Sequence, residues 1–409
     1  MPTNLAYAYK ARDAAGKAVK GRLDAASESA AMSRLRTMGL SPVSMVVVPE
    51  GSGLSREINI PGFSKGVSLK DLAIMSRQMA TMIGAGLSLL RTLNILAEQT
   101  ESKPLTKILV AVRDDVETGV SISDAMAQHS ESFPPLMVNM VRAGETGGFL
   151  EGSLDSIAEN FEKEVKLRGT IKSALTYPVI VLIMSLLAVV GMLIFIVPVF
   201  EKMFDGLGGQ LPLPTMLLVY LSRSMVWVGP VLALGIIAFS VWWPRNRNTL
   251  RVRKFLDPIK LKLPVFGQLL KKIAVARFSR NFANMIGAGV PILPALHIVG
   301  ETSGNWVVEQ ALVKVADSVR QGHSIGGPLA QEPVFPTMVT QMIAVGEDSG
   351  SLEQMLNKIA DFYDQEVESS TEQLTAMIEP LMVAFLGIVV GGMIVALYLP
   401  IFTIATLVK

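Results

Sequence analysis

The sequence predicts an all-α membrane protein with two duplicated six-helix cytoplasmic bundles, three transmembrane helices and a small N-terminal α/β element. Three observations predict it. The chain repeats itself: residues 76–98 and 279–301 are identical at 12 of 23 positions at a fixed offset of 203, with the run MIGAG intact in both copies. It contains three runs without a charge, residues 173–200, 224–244 and 380–408, of 28, 21 and 29 residues. Outside these runs, apolar residues recur at helical spacing between Gly, Pro and Ser punctuation.

The repeat extends well beyond the first match. Gly119, Ser121 and Ile122 return as Gly322, Ser324 and Ile325 at offset 203; at offset 202, Phe133, Gly144, Glu145, Gly148, Leu150, Glu151, Pro178, Pro198 and Phe200 return as Phe335, Gly346, Glu347, Gly350, Leu352, Glu353, Pro380, Pro400 and Phe402. A repeat of about 130 residues ending in an apolar run is too long for a solenoid unit and reads as a duplicated domain.

Residues 1–48 read as the α/β element. Tyr7 and Tyr9 alternate in strand fashion, residues 13–16 are a turn, residues 19–23 pair back, a helix follows the Ser27 cap, and residues 43–48 are a third strand. Residues 49–67, rich in Gly, Pro and Ser, are a linker. The first bundle occupies 68–172. Ser68 caps a helix carrying Leu69, Leu72, Met75, Met79 and Met82, and Gly84 and Gly86 end it, because a helix C-terminus commonly needs a left-handed backbone. Four further helices, 88–99, 104–117, 121–128 and 135–143, precede a sixth that starts near Leu150 and continues into the membrane.

The spans are assigned to 173–200, 216–244 and 377–408, each long enough for a hydrocarbon core that takes about 20 helical residues. An external loop, 201–215, separates the first two; a basic juxtamembrane segment, 245–268, leads to the second bundle, 269–376. The chain is 50% hydrophobic and 18% charged with mean hydropathy +0.44, which agrees with membrane residence. No signal peptide is read in the first 20 residues, so the N-terminus is expected in the cytoplasm. Lys163, Lys166, Arg168 and Lys172 before the first span, and Arg245, Arg247, Arg251, Arg253 and Lys254 after the second, place those ends inside. The third span has an acidic inner flank, and its direction, with the C-terminus external, follows from counting.

Net charge is +2, which steers no partner at long range, and no nucleic acid is expected. The run 245–280 nevertheless holds 11 basic side chains and one acid, Asp257, a pattern that fixes topology and meets anionic membrane lipid. Without cysteine there is no thiolate chemistry. The three histidines lack metal-ligand spacing, and no P-loop occurs, so neither a metal nor a cofactor is expected and ATP-driven work falls to another protein.

The turns Gly144-Glu145-Thr-Gly-Gly148 and Gly346-Glu347-Asp-Ser-Gly350 are the most distinctive loops. Their glycines end one helix, with the acid complementing the dipole of the next; alternatively the acidic turn touches a partner or a cation. Glu151, Asp155 and Glu159 share one helical face that is either solvated or a weak Ca²⁺ site. Gly322-His-Ser324-Ile-Gly326 matches a hydrolase elbow, but no strand precedes it, and Ser324 is read as a helix N-cap. Arg77, Glu145, Glu151, Arg280, Glu347 and Glu353, repeated charged positions, are the candidates for partner contact. Within the spans, Gly387 and Gly391 form a small-xxx-small pattern for close helix packing, and Pro178 and Pro380 kink or restart the helices they enter.

Taken together, the duplication, the MIGAG turns, the GE-x-x-G loops, the TYP entry to the first span and LPLPT after the external loop resemble the GspF/PilC family of inner-membrane platform proteins. The resemblance covers nearly the whole chain, including YAYKARDAAGKAVKGRLDA at the N-terminus. It implies a scaffold, not an enzyme, at the base of a type IV pilus or type II secretion machine. It also implies partners: a hexameric cytoplasmic assembly or retraction ATPase, pilin subunits in the membrane, other inner-membrane pilus components, and further copies of the chain in a homo-oligomer. RQMATMIGAG and DGLGGQLPLPT favour pilus assembly over pseudopilus assembly and protein secretion. A transporter with duplicated halves is the rival class, disfavoured because two spans follow the first copy and one belongs to the second.

Overall fold

The computed structural model describes residues 5–12, 18–25, 28–48, 66–205, 211–264 and 266–407. The expected turn at 13–16, the Ser27 cap, the linker at 49–65 and the tip of the external loop at 206–210 lie outside the described residues. The chain divides into two compact units, Met1–Gly66 and Val67–Lys409.

In the first unit, β1 (Leu5–Arg12), β2 (Ala18–Ala25), α1 (Glu28–Thr37) and β3 (Ser41–Val48) form a three-stranded antiparallel sheet ordered β2-β1-β3, with one helix. Tyr7, Ala25 and Ala31 pack together as its core.

In the second unit, five helices lead to a very long one: α2 (Leu69–Gly84), α3 (Leu89–Gln99), α4 (Lys103–Glu117), α5 (Ile122–Ala127), α6 (Pro135–Gly147) and α7 (Leu150–Gly191). A π-helical turn at Met192–Ile196 joins α7 to α8 (Val197–Asp205) without a break. Then come α9 (Leu213–Asn246) and α10 (Leu250–Lys262). The plan repeats as α11 (Phe266–Gly287), α12 (Ile292–Thr302), α13 (Trp306–Arg320), α14 (Gly326–Ala330), α15 (Thr337–Asp348) and α16 (Leu352–Leu407).

Local chemistry sets the ends. Ser68 and Asp71 form a reciprocal capping box at the start of α2, with each side chain accepting from the other's backbone N–H, at 3.2 and 3.1 Å. The turns after α2 and α11 place Gly86 and Gly289 at φ +84 and +68, which a side chain would strain. Apolar faces then bury against one another. Met75, Phe133, Met137 and Leu154 of the first half and Phe278, Phe282, Leu296 and Phe335 of the second belong to one continuous core.

Three helices are long and apolar enough to cross a membrane: Leu150–Phe204, Leu213–Asn246 and Leu352–Phe402. They meet through Val197, Leu218, Val219, Met393, Ala396 and Leu397. The first and third helices carry prolines without ending, and at Pro198 and Pro400 the carbonyl left without a proline N–H accepts from a neighbouring helix instead. Pro178 cannot serve the Ala174 carbonyl, which lies 3.5 Å from the Thr375 hydroxyl of α16, a group that donates at 2.9 Å to Thr371 in its own helix. In the π turn, Val197 N–H reaches back five residues to Met192; Pro198 cannot do the same for Leu193, whose carbonyl takes the Ser222 hydroxyl at 2.5 Å. Pro400 leaves the Ala396 carbonyl to the Thr215 hydroxyl.

Candidate functional site

The repeated charged positions separate into three kinds of environment. Glu145 lies inside α6, which continues through Gly147 and ends at Gly148 with φ +75; the expected loop at 144–147 is therefore helix. Its carboxylate reaches back to the preceding helix rather than forward to the next. It accepts from the backbone N–H groups of Ile122 and Ser123 at 3.0 and 3.3 Å and from the Ser123 hydroxyl at 2.7 Å. Glu347, in α15, accepts from Ile325 N–H at 2.9 and 2.8 Å and from Gly326 N–H at 3.3 Å. Both acids satisfy orphan donors at a helix N-terminus, where negative charge is favoured. In the first copy Ser121 also caps α5, whereas the residue at the N-cap of α14 is Ile325, not Ser324, and the Ser324 side chain makes no capping bond there. Glu347 takes over that duty.

Arg77 and Arg280 occupy equivalent positions on α2 and α11, and each grips the first part of the long helix of its own half. Arg77 pairs with Asp155 and, through two N–H groups at 2.8 Å each, with Glu162. The bond to Glu162 is the largest influence holding the guanidinium charged, raising its pKa further above the usual arginine value. Arg280 donates to Asp361 at 3.0 Å and Asp364 at 2.6 Å. Their exposures differ: the Arg77 side chain is 39% exposed and that of Arg280 only 9%.

The difference comes from a seam that sequence reasoning missed. α7 of the first half packs on both α16 and α11 of the second; on α11, Asn160 Nδ2 donates to Asn281 Oδ1 at 3.0 Å, with both residues buried. Arg277 donates to both oxygens of Glu164, at 3.0 and 2.6 Å, and Lys163 meets Asp361 of α16 at 3.5 Å. The signal available in the sequence was a break in the repeat. The counterpart of Arg277 at offset 203 is Ile74, and that of Asn160 at offset 202 is Phe362. On α2 the corresponding surface stays open as a groove of about 400 Å³ beside Ile74, Arg77 and Val165.

Glu151 and Glu353 are exposed at the first turns of α7 and α16. Each carboxylate lies over the end of the first helix of its half: a Cβ placed on Gly84 would come within 2.7 Å of Glu151 Oε1, and one on Gly287 within 2.8 Å of Glu353 Oε1. Gly387 and Gly391 have no neighbouring atom within 4 Å of where a Cβ would stand, so this small-residue pattern does not pack helices within the chain. Pro178 and Pro380 both lie inside unbroken helices.

The basic run after α9 is partly structural as well. Its one acid, Asp257, is buried in α10 and accepts from Trp306 N–H and Lys260 Nζ, both at 2.9 Å. Arg253 binds Glu309 at 2.8 Å, so α10 is pinned to α13 by charge-assisted bonds. Among the described residues, no group of three or more His, Cys, Asp or Glu side chains could hold a metal ion. What the arrangement provides is anchored charged faces above apolar helices.

Comparison with known proteins agrees with this architecture. The family described as type II secretion system (T2SS), protein F, matches residues 75–198 and 278–400, one match per half, and its N-terminal domain matches residues 1–46. The type IV pilus assembly protein PilC of Myxococcus xanthus is 43% identical over 399 residues, covering 98% of this chain and 95% of that protein. PilC of Thermus thermophilus is 45% identical over 401 residues, covering 97% and 98%. The type II secretion system protein F of Vibrio cholerae is 31% identical over 398 residues, covering 97% of each. With both halves and the N-terminal unit matched and relatives similar along almost their entire length, this membrane protein belongs to the type II secretion system protein F family, which includes the PilC pilus assembly proteins.

Proposed function

We propose that the chain is the inner-membrane platform of a type IV pilus machine, coupling a cytoplasmic hexameric ATPase to the insertion of pilin subunits into the filament or their extraction from it. The observation that carries the reading is the pair of helices α7–α8 and α16. Each starts in a packed half, against Arg77 or Arg280, and continues without a break into an apolar stretch long enough to span a membrane. Displacement of a half is then passed to its span without a hinge.

In this reading α2–α7 and α11–α16 are duplicated six-helix cytoplasmic bundles, the N-terminus is cytoplasmic and the C-terminus external. The chain does no chemistry of its own. Exposed Arg77, Glu151 and Glu353 are the candidates for meeting the ATPase or a neighbouring inner-membrane component. Glu145, Glu347 and the enclosed Arg280 serve the fold. The pilus assignment is supported by the higher identity to the two PilC proteins than to the Vibrio secretion protein.

The test is deletion of the gene, with surface filaments viewed by electron microscopy and cellular pilin followed by immunoblot. Lost filaments with pilin retained in the membrane are expected. Intact filaments with exported proteins trapped in the cell would move the chain to the secretion machine, and an unchanged strain would remove the platform reading.

A further inference from the structure

The helix between the second apolar helix and the second half has its faces reversed for one that meets water. On α10 the charged side chains of Arg253, Asp257 and Lys260 share a face and turn to the protein: Asp257 is buried and accepts from Trp306 N–H and Lys260, and Arg253 binds Glu309. Lys254 is drawn over the Trp306 ring, 5.9 Å from its centre. The opposite face carries Arg251, Phe255, Ile259 and Lys262, at i, i+4, i+8 and i+11, and all four are exposed. Phe255 is 69% exposed and Ile259 45%, and Leu250, Leu263 and Phe266 are exposed around the two ends. A surface helix in water turns its apolar stripe to the core and its charges outward. The basic run expected to meet lipid is thereby divided: Arg253 and Lys260 serve the fold, while Arg251 and Lys262 flank an uncovered apolar stripe.

Both ends of α10 are tied to one level of the molecule. It follows α9, whose charge-free run closes with Trp242, Trp243 and Pro244, after only residues 247–249, a connection that reaches at most about 14 Å. Its other end leads through residues 263–265 into α11, where Leu269, in the first turn, packs with Leu374 of α16. Ile171 and Leu175 of α7 and Ile378 of α16 join that cluster, at the threshold of the charge-free runs that begin at residues 173 and 380. A helix of 13 residues is about 20 Å long, and with both ends held near the edge of the apolar layer it runs along that edge. We infer that α10 lies in the plane of the membrane surface, with Phe255 and Ile259 sunk at the boundary of headgroups and acyl chains and with Arg251 and Lys262 bound to the headgroups of anionic lipid. A basic helix with an apolar face binds a bilayer in this way, and the long stems of arginine and lysine carry their charges up to the headgroups while the apolar side chains are covered. Lipid is the occupant because the stripe follows directly on the membrane helix α9 and the charges beside it are positive. This placement depends on α7–α8, α9 and α16 spanning a bilayer, and not on which machine the chain serves.

The chain has no cysteine, so a single label can be placed on the stripe. Full-length Phe255→Cys, labelled with the fluorophore NBD, is reconstituted in vesicles of equal parts phosphatidylcholine and phosphatidylglycerol, one or the other carrying brominated acyl chains that quench on contact. Ile259→Cys repeats the measurement on the same stripe, and Val345→Cys, on α15 and 58% exposed, is the water-facing control. Quenching at 255 and 259 but not at 345 is expected, and it should be stronger when the bromine is on phosphatidylglycerol. Arg251→Gln together with Lys262→Gln should remove that excess while quenching itself persists, since each basic side chain near the surface favours anionic lipid by about fivefold. Labels at 255 and 259 that behave like the one at 345 would overturn the inference, as would labels shielded by protein from both lipid and water. Equal quenching by the two lipids would overturn the binding of anionic headgroups. Quenching of the α9 tryptophans in the same vesicles reads the span separately, and no filament is needed, so this inference and the platform reading fail separately.

Discussion

Thr215 on α9 donates its hydroxyl to the Ala396 carbonyl on α16, the carbonyl that Pro400, four residues further on, has no N–H to serve. The helix gives up an internal bond and the neighbouring helix supplies it. Thr215→Val is therefore expected to weaken packing of the apolar helices by about 1 kcal/mol, in the range seen for side-chain hydrogen bonds between membrane helices. Pro400→Ala restores an N–H that bonds Ala396 within α16. In that background Thr215→Val should cost less, a coupling that unfolding measurements in detergent or bilayers on the double-mutant cycle would read. Additive losses would show that the hydroxyl does not compensate for the proline.

The two interior glutamates make a second prediction. Glu145→Ala leaves the Ile122 and Ser123 N–H groups without their acceptor, and Glu347→Ala does the same at Ile325 and Gly326. Loss of a helix cap costs about 0.5–2 kcal/mol. Hydrogen exchange should accelerate at those amides in each variant and stay unchanged at the corresponding amides of the other half. Equal exchange in wild type and variant would remove the capping role.

Glycines in the repeat are not equivalent. A Cβ on Gly84 meets the mobile end of Glu151, which can swing aside into solvent, so Gly84→Ala should be close to neutral. On Gly144 it comes within 3.0 Å of Leu150 Cα and also strikes Ser153, where α6 and α7 cross. Gly144→Ala should destabilise the chain by about 1–3 kcal/mol, as overpacking does. Thermal melting of the two variants ranks them, and the reverse order would contradict the packing.

Asp124 supplies a prediction in pH. The Ser121 hydroxyl first, and Arg142 second, hold its carboxyl below the ordinary aspartate value. A carboxyl depressed in the fold adds stability above its unfolded value, and that contribution is lost as pH falls through the folded value. Ser121→Ala and Arg142→Gln should each move the Asp124 midpoint upward in an NMR titration. An unmoved midpoint would mean that these bonds do not form in solution.

Mechanical coupling through the long helices is tested by inserting a flexible Gly-Ser segment after Lys166, between the ion pairs that Lys163 and Glu164 make with the second half and the apolar run of α7. Membrane insertion and ATPase binding should persist while filament growth stops. Normal filaments would exclude rigid coupling.

Much of this was legible in the residues because it is local or periodic. The start of α2 at the Ser68 cap, its end at Gly84, and the continuation of α7 from Leu150 into the first apolar run all follow from side chains within a few positions of the event. The extent of α6 did not follow, because Gly144 looks like a helix stop in isolation. It is helical since only a glycine lets α6 approach the backbone at Leu150 so closely, and Leu150 belongs to another element.

By itself the sequence determined the duplication, the three apolar helices and the absence of thiol or P-loop chemistry, because each is a matter of which residues are present and at what spacing. Tertiary structure alone decided where the repeated charges go. Glu145 turns back to α5, Arg280 is enclosed while Arg77 stays half in water, and Asn160 finds Asn281 across 121 positions of chain. The physical reason is that two copies share their local periodicity but not their neighbours. The same arginine is buried or exposed according to whether another helix covers it, and that depends on packing between distant segments.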